Sequence, residues 1–216
     1  MSRETTANGV ASPWRHIGAV AVVLVAAYSP PTGAATTAQG VVDQFHRSLI
    51  GVMTRARELG YHGRFAALSP EIARAFHISV MTRIVAGSHW KSFSSDQKSA
   101  LVEAFGRMTA ATYANRFDGF SGEQFRTLGE EPTRRKSVLV KSEIVKSDGE
   151  AIAINYLMRK FKSGWRVVDV QLKGAYSELA TRRSEYSSIL RRSGLTALLA
   201  EIRNKVAAYE AEARGK

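Results

Sequence analysis

Trp165 to Leu199 reads W-R-V-V-D-V-Q-L-K-G-A-Y-S-E-L-A-T-R-R-S-E-Y-S-S-I-L-R-R-S-G-L-T-A-L-L, and its two halves follow different periods. Trp165–Leu172 is rich in β-branched and apolar residues, as a strand requires. Gly174 opens a turn through Ala175, Tyr176 and Ser177. A helix carrying Arg183-Ser184-Glu185-Tyr186 follows, Gly194 stops it, and a second helix begins. In the strand, simple alternation puts Val168, Val170 and Leu172 on one side and Val167 and Asp169 on the other. A charge at Asp169 is costly on such a strand unless it is partnered. The expected partner is a nearby base on the following helix, with Arg182 and Arg183 the first candidates.

Upstream, Val41, Phe45, Leu49, Val52, Met53 and Ala56 recur at three- and four-residue spacing, predicting a helix over Gly40–Leu59 that Gly60 ends. Ser69-Pro70-Glu71 predicts the start of a second helix, with Ser69 as cap and a break near His77. Ser94-Ser95-Asp96-Gln97 is a capping-box sequence, and the run Leu101, Phe105, Met108, Thr112, Tyr113, Phe117 predicts a long helix up to Asp118-Gly119. Beyond it the period becomes two. Phe125–Leu128, Ser137–Lys146, Ala151–Phe161 and Trp165–Leu172 are strand candidates, with hairpin turns at Ser147-Asp148-Gly149 and Lys162-Ser163-Gly164. The fold class is therefore α+β: helices over one side of a curved antiparallel sheet of about four strands, able to enclose an apolar cavity.

Arg3 and Arg15 precede the apolar run Ile17–Ala27, and Gly33-Ala34-Ala35 follows, in the order of a secretory leader. The run is shorter than the roughly 20 residues that span a bilayer. Residues 1–35 are expected to be the leader and 36–216 one domain, with a frayed polar tail over 210–216. The chain has no cysteine, so neither a disulfide framework nor thiolate chemistry is available. Its formal charge is +12. Losing Arg3, Arg15 and Glu4 with the leader leaves +11, which suits anionic membrane surfaces or acidic partners. An exported chain would not meet nucleic acid, and strand Ser137–Lys146 lacks the interleaved aromatics that polynucleotide binding uses.

Enzymatic signatures are missing from the sequence. His46, His62, His77 and His89 lie on separate segments without metal-ligand spacing, and Gly119-Phe120-Ser121-Gly122 does not complete a nucleophile elbow. Glu130 and Glu131 are adjacent, so on a strand they point apart and cannot flank one bond. No cofactor or metal is expected, and the chain is read as a non-enzyme. Soft apolar and aromatic residues are abundant instead: Met53, Phe76, Met81, Trp90, Phe93, Phe105, Met108, Tyr113, Phe117, Tyr156, Met158 and Trp165 should face inward, as core or as cavity wall.

The block Trp165–Leu199, with Arg64–Phe76, Gly87–Gln97 and Ala111–Phe125, resembles the MlaC/toluene-tolerance family of periplasmic lipid-binding proteins, and within it the hopanoid-associated, HpnM-like branch. The resemblance covers about residues 41–210. It implies a periplasmic shuttle carrying a phospholipid or a hopanoid between inner and outer membranes, as the soluble component of an ABC-type lipid transport system that maintains the outer membrane. The implied partners are an inner-membrane ABC transporter complex with its substrate-binding anchor protein, and an outer-membrane lipoprotein complex. Acyl chains would be held between sheet and helices, with Trp90, Phe105, Met108, Tyr113, Phe117, Tyr156, Met158, Val168, Val170 and Leu172 as candidate lining. Arg134, Arg135, Lys136, Arg182 and Arg183 are candidates for a headgroup or partner rim, or else simply solvated faces. The rival reading is an envelope interaction protein with a filled core and no cargo. The leader itself makes a direct prediction: the intact mass of the exported protein begins at Thr36, whereas a full-length mass retained in membranes would remove the soluble-carrier reading.

Overall fold

The computed structural model describes residues 37–173 and 176–214. The expected leader and the Gly174-Ala175 turn lie outside the described residues. Helix α1 (Ala38–Met53) starts at Thr37, whose side chain accepts from the Gly40 amide at 2.9 Å. The single helix expected over Gly40–Leu59 is interrupted at Thr54-Arg55, where the Thr54 hydroxyl donates to the Gly51 carbonyl and competes with the helical ladder. Helix α2 (Ala56–Ala75) then lapses at Gly60, whose φ of +56° favours glycine. Ser69-Pro70 does not open a helix. It lies inside α2, and Ser69 spends its hydroxyl on the Phe65 carbonyl at 2.7 Å.

Phe76 is extended and His77 begins α3 (Ile78–Ala86), so the break expected near His77 is present. A 3-10 segment over Gly87–Ser92 leads to α4 (Ser95–Arg116). The capping box is complete: the Gln97 amide donates to Ser94 Oγ and the Ser94 amide to Gln97 Oε1. Buried residues occur all round α4, because α2, α3 and α5 surround it.

Five strands form an antiparallel meander in sequence order: β1 (Gln124–Thr133), β2 (Ser137–Val145), β3 (Ala151–Phe161), β4 (Gly164–Leu172) and β5 (Tyr176–Ser177). The two-residue β5 was hidden in the sequence by its brevity, and β1 runs five residues past the expected Leu128. Three irregularities bend the sheet. A bulge at Leu128-Gly129 uses the positive φ of Gly129, and the β2–β3 ladder lapses around Ser142 and Asn155. There the Ser142 hydroxyl donates to the Ile154 carbonyl and the Ser142 amide to Asn155 Oδ1, replacing ladder bonds with side-chain bonds. In β4, Val168 is an extra residue, since Met158 pairs with Val167 and Leu157 with Asp169.

The Val168 bulge overturns the alternation expected for this strand. Val167 joins Val170 in the main core, while Val168 is buried outside it. It also aims the Val167 carbonyl at the His77 amide, which donates to it at 2.9 Å and ties the α2–α3 junction to the sheet.

Helix α5 (Glu178–Arg214) keeps the expected stop at Gly194, where φ is +75°. It continues to Arg214 within the segment expected to fray, of which residues 215–216 lie outside the described residues: Glu210 lies 3.9 Å from Arg107 and Ala213 packs against the core. Its start depends on Asp169, and not through an arginine. Asp169 Oδ1 accepts from the Val170 amide (2.8 Å) and the Leu179 amide (3.1 Å), and Oδ2 from the Ser177 hydroxyl (2.6 Å). Ser177 Oγ in turn accepts from the Ala180 amide, so the acid and the serine together satisfy the first-turn donors of α5. Burial pushes the Asp169 carboxyl above its ordinary range, and these hydrogen bonds pull against that.

On the helix-covered side, His46 of α1 is 4% exposed, stacks on Phe125 and shares a 3.1 Å hydrogen bond between Nε2 and the Tyr156 hydroxyl. Burial pushes its pKa from 6.5 down to about 3.

Two stability predictions follow from these groups. Asp169→Ala leaves two buried backbone donors without an acceptor, the part-buried Ser177 hydroxyl being free to turn elsewhere, and at about 1–3 kcal/mol per orphaned buried donor the loss in a denaturant titration should be about 2–6 kcal/mol. His46 binds its proton in the unfolded chain but not in the fold between pH 6.5 and 3, so its contribution is present above 6.5 and is lost as pH falls through that window. Between pH 7 and pH 5 the fold should lose about 2 kcal/mol through this group. His46→Gln, which keeps a hydrogen-bonding side chain but cannot titrate, should flatten that slope.

Candidate functional site

A cavity of about 300 Å³ lies between α4, the α2–α3 junction, the start of α5 and the helix-covered face of β2–β4. Its deep end is Phe76, Met81, Phe105 and Met108. The sheet supplies Ile144, Ile152, Ile154, Tyr156, Val170 and Leu172, which antiparallel pairing brings side by side, Ile144 opposite Ile152, Ile154 opposite Leu172 and Tyr156 opposite Val170. Helix α4 adds Thr109, Thr112, Tyr113 and Phe117.

The polar atoms in this wall are mostly spent elsewhere. Thr109 donates to the Phe105 carbonyl and Thr112 to the Met108 carbonyl, so both threonines satisfy their hydroxyls on their own helix. The Tyr156 hydroxyl is held by His46. Burial raises the Tyr113 and Tyr156 phenols above their ordinary range and keeps both neutral. Edge-to-face contacts of Phe45 with Phe76, Tyr113 and Tyr156, at 5.1, 5.3 and 6.4 Å, fix the rings from behind.

Charge collects at one end, where α4 stops, α5 starts and the strands meet the β2–β3 turn. Arg116, Lys173 and Arg182 stand there against Glu178. Arg116 reaches Glu178 at 3.2 Å, and Arg182 is 3.4 Å from Glu185. The Arg116–Glu178 pair is open to water and contributes little to stability, while in the other the Arg182 side chain is mostly covered and only its partner Glu185 is exposed. Their effect is to leave the mouth net positive.

The sequence-derived candidates divide in three ways. Phe105, Met108, Tyr113, Phe117, Tyr156, Val170 and Leu172 converge on the cavity, with Arg182 at its mouth. Met158 is fully buried in core, Val168 is displaced by the bulge, and Trp90 sits on the 3-10 segment beneath Lys98, so none of these lines it. Arg183 lies over Gly87, away from the lining. The turn Arg134–Lys136 is at the far end of the sheet: Ser137 pairs with Arg159, seven residues along β3 from Ile152, about 23 Å at ~3.3 Å per residue.

Lining residues that the sequence reading passed over include Ile144, Ile152, Ile154, Thr109, Thr112, Arg116, Lys173 and Glu178. The three isoleucines carry a signal, an every-second-residue pattern on both arms of the Asp148-Gly149 hairpin. The mouth charges come from three separate segments and carry none. Among the described residues no cluster of His, Asp or Glu could hold a metal ion, and no helix is long and apolar enough to cross a membrane.

The same architecture occurs in the phospholipid-binding protein from Ralstonia solanacearum, solved in complex with a phospholipid. The two structures agree with a TM-score of 0.71 over 80% of this chain and 98% of that one, at 18% sequence identity. At that identity the agreement concerns the fold. Residues 43–204 match the family described as MlaC protein, which spans α1 into the second half of α5 and every element that builds the cavity, and the chain belongs to that family.

Proposed function

We propose that this protein is a lipid carrier: it holds acyl chains in the cavity between α4, α5 and the sheet, with the headgroup among Arg116, Lys173 and Arg182. The observation that supports this most directly is the pairing of a carbon-lined cavity with a cationic mouth, in an MlaC-family chain whose fold matches a protein solved with a phospholipid. The physics needs no catalytic group. Each methylene withdrawn from water is worth about 0.8 kcal/mol, so shielding a chain offsets the cost of leaving a bilayer. A phosphate or another polar headgroup would meet guanidinium and ammonium donors at the mouth.

At about 300 Å³ the cavity lies at the lower end of small-ligand sites, roughly 300–1,000 Å³. A two-chain lipid exceeds this volume. The cargo class is a phospholipid or a hopanoid. The wider reading places the carrier in the periplasm after removal of its leader, as the soluble component of an ABC-type lipid transport system, exchanging cargo with inner- and outer-membrane complexes.

The test is lipid extraction and mass spectrometry of the purified protein beside three variants. Val170→Glu puts a carboxylate against the acyl chains, where the cavity can admit water; it should stay folded and lose copurified lipid. Ile152→Trp should also displace lipid, by volume alone. Met158→Glu, in solid core, should unfold the domain because its charge has no escape. A folded wild type that carries no lipid would remove the carrier reading, and unfolding of Val170→Glu together with unchanged lipid in Ile152→Trp would remove this cavity from it.

A further inference from the structure

We propose that the end of the molecule at which the cavity opens is a bilayer-docking face, on which Phe120 and Tyr176 enter the interface of an anionic membrane while the exposed Arg116 and Lys173 meet its headgroups. Three large hydrophobic side chains are exposed among the described residues: Phe120 at 44%, Leu128 at 61% and Tyr176 at 71%. Two of them share this end. Phe120 follows Phe117, a lining residue, by three positions and precedes Gln124, which pairs with Val145 at the tip of β2. Tyr176 pairs directly with Leu172, another lining residue.

β1 and β5 are the two edges of the sheet, and Phe120 lies in the loop that enters the first while Tyr176 lies on the second, so the two rings belong to opposite edges. Single exposed apolar residues are common and carry no message. Two aromatic rings flanking a cationic opening are different, because ring side chains beside Lys and Arg are how protein surfaces seat in the headgroup layer.

The far end of the sheet shows the contrast. Arg134, Lys136, Lys160 and Lys162 are exposed there, yet no large hydrophobic side chain is. The aromatics of that end are both half-buried: Phe161 lies against the His77 ring, and Trp165, opposite Lys160, packs against the core. Charge alone attracts the molecule to an anionic surface, and the formal charge of +12 supplies that attraction over the whole body. Among the described residues only the mouth end adds exposed aromatic groups that favour entry into the interface; Asp118, Glu123, Asp148 and Glu150 also lie at that end, so the rings, and not an excess of charge, set the orientation with the cavity facing the lipid. A protein partner would instead need one contiguous apolar patch with a packed centre, and two rings on opposite sheet edges do not make one.

The docking proposal rests on the lipid-cavity reading for its purpose, and the two can fail separately. Since the chain contains no cysteine, single labels are clean. Protein produced from the full-length gene is labelled with a polarity-sensitive fluorophore in Phe120→Cys, Tyr176→Cys and Lys162→Cys, and mixed with phosphatidylglycerol–phosphatidylcholine vesicles. Labels at the first two positions should shift to the blue and the third should not. In sedimentation, Phe120→Ser with Tyr176→Ser should weaken vesicle binding about tenfold, and Leu128→Ser should leave it unchanged. Binding should weaken steeply once salt shortens the screening length below about 10 Å. An equal response at Lys162→Cys, no response at any position, or a shift that requires an added membrane protein would overturn the proposal. Thermal melts confirm folding of each variant. Lipid extracted from the same preparations separates the readings: docking with no bound lipid leaves this face standing and removes the carrier, while bound lipid without docking does the reverse.

Discussion

One carboxylate joins the sheet to the helix layer at the mouth of the cavity. Asp169 leaves β4 on the side away from the cavity and accepts the Ser177 hydroxyl and the Leu179 amide, so the first turn of α5 is fastened to the strand that supplies Val170 and Leu172. Leu179, Glu178 and Arg182 owe their positions at the opening to that attachment. A buried acid satisfied by amides and a hydroxyl, with no cation as partner among the described residues, acts as a cap. Its geometry sets where the helix begins, and the helix then sets one wall of the site.

The bulge at Val168 is the complementary constraint. One inserted residue turns the Val167 carbonyl to the His77 amide and brings Val167 onto the helix-covered side beside Val170, in place of Val168. With the Gly129 bulge and the lapse at Ser142 and Asn155, it bends the sheet away from a flat packing surface. A flat sheet under close-packed helices leaves no void of this size, because interiors otherwise fill to crystal-like density. The cavity therefore follows from irregular pairing on one side and from helices held at their ends on the other. Its lining stays apolar because the threonines of α4 bond their own backbone and Tyr156 is held by His46.

That division bears on how a carrier would work. A site that binds chains through area alone has no directional contacts to break on release, so exchange can depend on where the mouth is brought. Net positive charge at the opening and broad positive charge elsewhere have separate uses in such a scheme: the first meets a headgroup, the second shortens the search for an anionic surface.

Much of this was legible in the residues. The period-two segments gave four of the strands, the Ser94–Gln97 capping box placed the start of α4, Gly194 marked the kink in α5, and the family was visible in the order of several modest motifs. Periodicity also selected seven of the ten lining candidates, because a residue that faces the helices on a central strand or α4 faces the cavity as well. It could not separate Met158, in solid core, from its neighbour on the same face, Tyr156, since both satisfy one pattern and only the placement of α4 decides which meets empty space. The partner of Asp169, the slip at Val168 and the cationic mouth were set by tertiary structure alone. Each depends on atoms from distant segments meeting at hydrogen-bonding or ion-pair range, and local alternation holds no information about which distant groups those are.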